Sequence, residues 1–389
     1  MAMTLLSNTG KRWLRGWCTA SRSVAWLLTA IAAIAVLTSE PACAQPKTRN
    51  VVLIVLDGLR WQEMFSGADP RLLNEKHGGI WESEATLRKR FWDPDPLKRR
   101  ELLFPFLWDV MATQGQIFGN QTLGSIGQVT NAHRTSYPGY SEMSTGHADP
   151  GIGEDEQRAN PNLNVFEWLN QRPDLAGKVA IFGSWHLYRE IFNTPRSHLY
   201  IQAGASLPPT DATATPTQAL LNRLYQTTPA LEEGDVLDAF VQVPLLDYVK
   251  SSHPRVLFVG YGETDDWAHS GRYDLVLESA HHSDGFVREL WDTMQAMPEY
   301  RDQTTFIVTT DHGRGSGLVE WKEHGVGQKG SENIWIAVIG PDTAALGERR
   351  GPPAVKQAQI AATIAALLGS DYRAAEPKAA APLPVVGEH

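Results

Sequence analysis

The sequence predicts an α/β fold in which a largely parallel central sheet is covered by helices on both faces, and three observations carry that prediction. Five short apolar, β-branched runs recur along the chain, at Asn50–Leu56 and at residues 179–182, 255–261, 304–310 and 334–339. Each run is continuous rather than alternating, which marks strands buried on both sides. Helical patterns fall between them, so strand and helix alternate in the way a covered parallel sheet requires. No internal repeat or heptad interrupts this order.

Taken from the start, Lys11, Arg12, Arg15 and Arg22 precede an apolar run over 24–37 and a small-residue site, Ala42-Cys43-Ala44. That pattern reads as an export signal over residues 1–44, placing the mature protein in the periplasm or outside the cell. The run is shorter than the ~20 residues of a spanning helix, so no transmembrane helix is expected after cleavage. Both cysteines, Cys18 and Cys43, lie inside the signal, and the mature chain needs no disulfide chemistry. Removing four basic residues and one acidic one takes the net charge from -9 to -12, which argues against nucleic acid as a general partner.

After the first strand, residues 61–121 are rich in Trp, Pro and charge and read as a loop-like cap or lid. A basic cluster there, Arg88, Lys89, Arg90, Lys98, Arg99 and Arg100, reads as a solvated helical face. A second loop-like insertion, rich in Thr, Pro and Ala, is expected over 203–234. Helices are expected over 275–294 and over the Ala-rich 355–368. The Ala/Pro-rich tail, 372–389, is expected to be poorly ordered.

The chemistry is suggested by where acids and histidines fall. Asp57 ends the first apolar run, Asp265 and His269 follow the third, and Asp311 and His312 follow the fourth. Open α/β sheets place their ligand sites at the carboxyl ends of strands. A carboxylate at the edge of a buried sheet needs a cation or several hydrogen-bond donors, and a metal supplies that economically. Mixed carboxylate and imidazole sets favour zinc, with manganese or iron as alternatives, over calcium or magnesium.

The motifs LIVLDGLR (Asp57), ETDDWAH (Asp265, His269), TTDHGRG (Asp311, His312) and WKEHG (His324) resemble, in order, the two-metal set of the alkaline phosphatase superfamily. Between the first two, RTSYPGYSEMSTG resembles the nucleophile segment of its nucleotide pyrophosphatase/phosphodiesterase members. The resemblance spans about residues 50–340 and implies an alkaline-phosphatase-like metallohydrolase domain over 45–371. It implies that Asp265, His269 and His324 hold one divalent ion and Asp57, Asp311 and His312 the other, with Ser136 as nucleophile. It further implies a phosphate-ester substrate cleaved through a phosphoserine, since coordination to a cation makes a serine hydroxyl reactive without a histidine base. Pro138 suits the first turn of a helix whose N–H groups face the ester. A plain helix cap is the other role open to Ser136, with Thr135 and Ser141 as alternative alignments. Asn160 and Asn162 fall where diesterase relatives place an Asn that binds a nonbridging oxygen.

Sulfatases are the nearest alternative, because Ser136-x-Pro138 resembles their nucleophile motif. Against them stand Asp57-Gly58 in place of paired acids, Asp311-His312 in place of Asp-Asn, and Tyr140 in place of a basic residue. Phosphoglycerate mutases share the metal logic, but the separation of 129 positions from Ser136 to Asp265 is short for their inserted domain. A noncatalytic metal-bound binding module is the remaining reading, and it has no need of Ser136. Monoester and diester substrates both stay open.

Overall fold

The computed structural model describes residues 47–153, 157–205, 215–229 and 234–386, within the compact unit Pro46–His389. The export signal expected over 1–44 lies outside the described residues. Ten strands are present among them: β1 (Asn50–Leu56), β2 (Gln116–Phe118), β3 (Gly127–Gln128), β4 (Val179–Gly183), β5 (Tyr200–Ala203), β6 (Val256–Tyr261), β7 (Thr304–Thr309), β8 (Ile336–Ile339), β9 (Gly347–Glu348) and β10 (Val355–Lys356). Eight form one sheet in the order β5-β4-β6-β1-β7-β8-β2-β9, and β10 pairs with β3 separately.

The five strands from β5 to β7 are mutually parallel, while β8 runs antiparallel to both β7 and β2. All five predicted runs are strands of this sheet. Their continuity has a direct cause in the packing. Val52, Ile54 and Leu56 of β1 enter one hydrophobic cluster, and Val51, Leu53 and Val55 enter another on the opposite face. Alternate side chains from Val51 to Leu56 therefore both meet core, and all six of these positions are apolar. The predicted helices over 275–294 and 355–368 are realised as Tyr273–Ala296 and Gln359–Leu367.

Two expectations are corrected. Residues 61–121 are not a loop-like lid but carry the helices Trp61–Ser66, Glu84–Phe91 and Pro96–Leu103 and the strand β2. Met64, Leu87, Phe91, Leu103 and Leu107 from this stretch lie in the first core cluster, so it covers one face of the sheet. Of the basic cluster, Lys89, Arg90 and Lys98 are exposed as expected and Arg88 is half-buried, but Arg99 and Arg100 belong to that packing: Arg100 stacks 3.4 Å over the Trp108 ring and pairs with Glu348, while Arg99 donates to the Ser66 carbonyl and lies over Trp92. The second correction concerns the tail. Ala379, Leu383 and Val385 are buried in the second cluster, and the Leu383 amide donates to Thr363 Oγ1 at 2.8 Å. Small apolar residues spaced among prolines dock a chain without regular structure, which composition alone presents as disorder.

Of the 203–234 insertion, the described residues include the exposed helix Pro216–Thr227, with a Thr215/Gln218 capping box at its start. Among the described residues, no helix is long and apolar enough to cross a membrane.

Candidate active site

The carboxyl ends of β6, β1 and β7 stand side by side, and that adjacency assembles the site. Asp57 follows β1 and Asp311 follows β7 by one intervening residue, Thr310. After β6 the chain enters the helix Glu263–His269, where the spacing of four puts Asp265 and His269 on one face. The loop after residue 317 brings in His324. Ser136 opens the buried helix Ser136–Thr145, which is preceded by Arg134 in a left-handed conformation, φ 58°.

Two glycines permit the close approach. A Cβ on Gly58, whose φ is +59°, would lie 2.1 Å from Asp265 Oδ1, and a Cβ on Gly139 would lie 2.5 Å from the Asp311 carbonyl oxygen. Gly139 thus lets the helix bearing Ser136 rest against the strand end bearing Asp311 and His312.

Ser136 Oγ lies 3.2 Å from His312 Nε2 and 3.5 Å from Asp57 Oδ1. His312 Nε2 is 3.6 Å from Asp57, 3.8 Å from Asp265 and 3.4 Å from Asp311. His269 Nε2 is 3.1 Å from Asp265 Oδ2 and 2.9 Å from His324 Nε2, and the His312 and His324 rings stack at 4.0 Å. All seven residues expected at the catalytic and metal positions are brought together. Two overlapping groups have donor atoms close enough for one ion each, Asp57 with Asp311 and His312, and Asp265 with His312 and His324. His312 stands in both, between the two sets expected from the motifs, and His269 closes on Asp265 and His324.

The donor set fits divalent cations. His312 Nδ1 sits 2.9 Å from the Gly313 carbonyl, which can only accept, so the ring proton is on Nδ1 and the Nε2 lone pair faces the carboxylates. Asp311 Oδ2 and His324 Nδ1 are buried without a hydrogen-bond partner. Burial and the neighbouring charges of Asp311 and Asp265 push Asp57 well above the usual carboxylate range, and burial raises Asp311 too. Burial also drives His324 down to about 2, so its imidazole stays neutral and offers lone pairs. For Asp265, burial is outweighed by the charge of Arg314 and a hydrogen bond from His269, which hold it well below the usual range. Carboxylates crowded together and imidazoles with inward lone pairs are the environment that a cation relieves.

Two supporting residues were not anticipated from the sequence. Tyr140 Oη donates to Asp57 Oδ2 at 2.8 Å, and the buried guanidinium of Arg314 donates to Asp265 Oδ1 and to the Lys322 carbonyl. Ser184, Trp185 and Asp235 also line the pocket, of about 330 Å³, in front of Ser136. The signal for the first two was available, since they follow β4, whose end adjoins that of β6.

Asn160 and Asn162 are not brought to this pocket. Asn160 is fully buried and donates to Ser141 Oγ at 2.9 Å, while its own oxygen accepts from the Asn162 amide; Asn162 Nδ2 donates to Asp149. Their polar atoms satisfy a buried turn behind the helix Ser136–Thr145 and do not face an ester. Of the other histidines, His281 Nδ1 donates to the Leu103 carbonyl at 3.0 Å, and His186 holds Asp235 through Nδ1 at 2.8 Å.

No protein-family model matches the chain, and no curated protein matches it in sequence. Solved structures do match. A Bacteroides thetaiotaomicron protein solved in connection with the metabolism of multiple glycosaminoglycans is 14% identical, aligning over 88% of this chain and 82% of its own at a TM-score of 0.53. A 2-O GAG sulfatase is 12% identical over 88% of this chain and 75% of its own, at 0.52. A Vibrio parahaemolyticus protein in the alkaline phosphatase superfamily is 15% identical over 85% and 69%, at 0.48. At these identities the likeness is one of fold: the chain shares the α/β architecture of these structures, a mostly parallel sheet flanked by helices.

Proposed function

We propose that this protein is an exported hydrolase of phosphate esters, with Ser136 as nucleophile and two divalent metal ions, zinc by preference, held by Asp57, Asp265, His269, Asp311, His312 and His324. One observation carries the reading: Ser136 Oγ sits at the mouth of a pocket, within 3.5 Å of Asp57 and 3.2 Å of His312, on the first turn of a helix. A serine used only as a cap would bond its own helix, and here the cap position is Thr135, whose side chain makes no capping bond.

When bound, such ions supply Lewis acidity, which makes a hydroxyl nucleophilic at neutral pH and steadies charge on the ester oxygens. The protein's residues do the rest. Gly139 and the helix start fix the position of Oγ, and the amino end of the helix Ser136–Thr145 offers partial positive charge to the phosphoryl group. Oγ bonds to phosphorus as the bond to the leaving alcohol breaks; water then displaces Ser136, releasing the phosphoryl product and restoring the hydroxyl. Gly313 fixes the His312 tautomer, Tyr140 fixes the Asp57 carboxylate and Arg314 fixes that of Asp265.

A sulfatase reading is supported by the fold neighbour that is a sulfatase. Phosphate is favoured because position 312 contributes an imidazole, buried against three carboxylates, where sulfatases carry an amide. The test is hydrolysis of 4-nitrophenyl phosphate, bis(4-nitrophenyl) phosphate and 4-nitrophenyl sulfate by the purified protein, with chelator and with added zinc. Phosphate-ester turnover that chelation abolishes and zinc restores is expected. Ser136→Ala should lower turnover at least about a thousandfold while retaining metal content. Faster turnover of the sulfate, or an active alanine variant, overturns the proposal.

A further inference from the structure

The helix that carries Ser136 also carries a carboxylate that the proposed chemistry leaves unused. Glu142 lies further along the helix Ser136–Thr145 and is fully buried. Its two oxygens accept from the amides of Thr130, Asn131 and Ala358, from the Thr130 hydroxyl and from Asn131 Nδ2, at 2.7 to 3.1 Å. A buried charge met in this way ties the loop after β3 and the start of the helix Gln359–Leu367 to the helix of Ser136.

Asn131 passes that constraint on. Its Nδ2 donates to Glu142 at 2.9 Å, and its Oδ1 accepts from the Arg134 amide at 2.7 Å. Arg134 is the residue held at φ 58°, a conformation that side chains adopt poorly and that persists only where the surroundings over-determine it. Its guanidinium adds a second hold, 3.2 Å from Glu332, whose Oε2 also accepts from the Gly330 amide at 3.0 Å. The turn at Arg134 leads directly into the helix start, where the Thr135 side chain makes no capping bond. The direction in which Ser136 leaves the turn is therefore set from behind, by the bonds on Arg134, and it ends with Oγ 3.2 Å from His312 Nε2.

Building on the reading of Ser136 as nucleophile, we infer that Asn131 and Glu142 are positioning residues for it. The Glu142 carboxylate orients the Asn131 amide, and Asn131 holds the Arg134 amide in the left-handed turn that aims the serine at the pocket. A purely structural role for the same bonds would lower stability and leave the chemistry of folded molecules unchanged, so the two roles separate by experiment.

The full-length, zinc-loaded protein is compared with Asn131→Ala, Asn131→Ser and Glu142→Gln. Tyr372→Phe is the stability control, since it removes a 2.7 Å bond to the Leu163 carbonyl that has no part in this chain of contacts. Calorimetric titration with inorganic phosphate counts intact sites, and kcat on 4-nitrophenyl phosphate is expressed per site. Asn131→Ala should lower kcat per site at least about tenfold while KM and phosphate affinity stay within about threefold, because misplacing a reacting group costs rate more than binding. Asn131→Ser keeps an acceptor for the amide three residues on, and should recover about threefold or more of that loss. Glu142→Gln leaves one acceptor oxygen in place of two and should act in the same direction as Asn131→Ala; where it does not fold, the Asn131 pair decides. Crystal structures of the wild type and Asn131→Ala should show Ser136 Oγ displaced by about 0.5 Å or more, the tolerance of a working site. Tyr372→Phe should lower Tm and keep kcat per site within about threefold. An Asn131→Ala protein with kcat per site within about threefold of the wild type, a fall matched by Tyr372→Phe, or an undisplaced Oγ overturns the positioning role. Failure of the hydrolase reading is a different result, a wild type that turns over no phosphate ester, and the crystallographic comparison stands without turnover.

Discussion

At the scale of single residues, the site depends on side chains that are missing as much as on those present. Gly139 allows the helix carrying Ser136 to lie against the backbone of Asp311, and a methyl group there would overlap the carbonyl oxygen at 2.5 Å. Because that oxygen is backbone, the helix itself must move. Gly139→Ala should therefore cost about 1–3 kcal/mol of stability and displace Ser136 from His312. The expected result is a fall in kcat on aryl phosphate of more than about tenfold, as misplacement of reacting groups costs rate steeply. Unchanged kcat would show that the helix position is not critical. Gly58 stands under the same constraint from the Asp265 carboxylate, with a left-handed φ that side chains adopt poorly.

At the scale of elements, the helix Tyr273–Ala296 anchors the segment that covers one face of the sheet. Its Asp284 accepts from the amides of Phe106 and Leu107 at 2.8 and 2.9 Å, at the entry to the short π-helical turn Leu107–Met111. Burial raises Asp284 to about 7, against the two amide bonds and Arg288, with Asp109 adding to the rise. In the unfolded chain the same group titrates near 4. Between these values the folded state binds the proton and the unfolded state does not, so its contribution is fully present below pH ~4 and is lost as pH rises through ~7. Linkage bounds the effect at roughly 4 kcal/mol. Thermal unfolding of the wild type and Asp284→Asn between pH 4 and 8 is the check. The wild type should lose more stability over that interval than the variant; parallel curves would remove Asp284 as the source.

For the whole molecule, three elements converge their carboxylates on one point, and the buried Arg314 answers only Asp265 among them. Such convergence is held most firmly when cations are bound. A ligand that binds the folded state alone stabilises it by about 2.7 kcal/mol at a hundred times its dissociation constant. Chelation should therefore lower Tm by several degrees, and stoichiometric zinc should restore it. An identical Tm with and without chelator, in protein shown to contain metal beforehand, would mean that the cluster is held by protein contacts alone.

How far the sequence reached follows from the range of each signal. The strand runs and the two main helices were legible because periodicity is local, and the seven candidate site residues could be named because strand-end position and the spacing of short motifs are local too. Residues 61–121 were misread because their apolar side chains are scattered among charges and prolines, and their burial depends on Arg100 finding Trp108 and Glu348. Asn160 and Asn162 were misplaced because a turn and a ligand contact make the same demand on an amide, and only Ser141 and Asp149 distinguish them. The sequence by itself determined the sheet and which residue types could bind metal at its edge. Tertiary structure decided that His312 stands within both donor sets, which atoms Tyr140 and Arg314 hold, and that Ser184, Trp185 and Asp235 share the pocket. Those outcomes rest on distances between residues far apart in the chain, and such distances exist only once the sheet has brought the strand ends side by side.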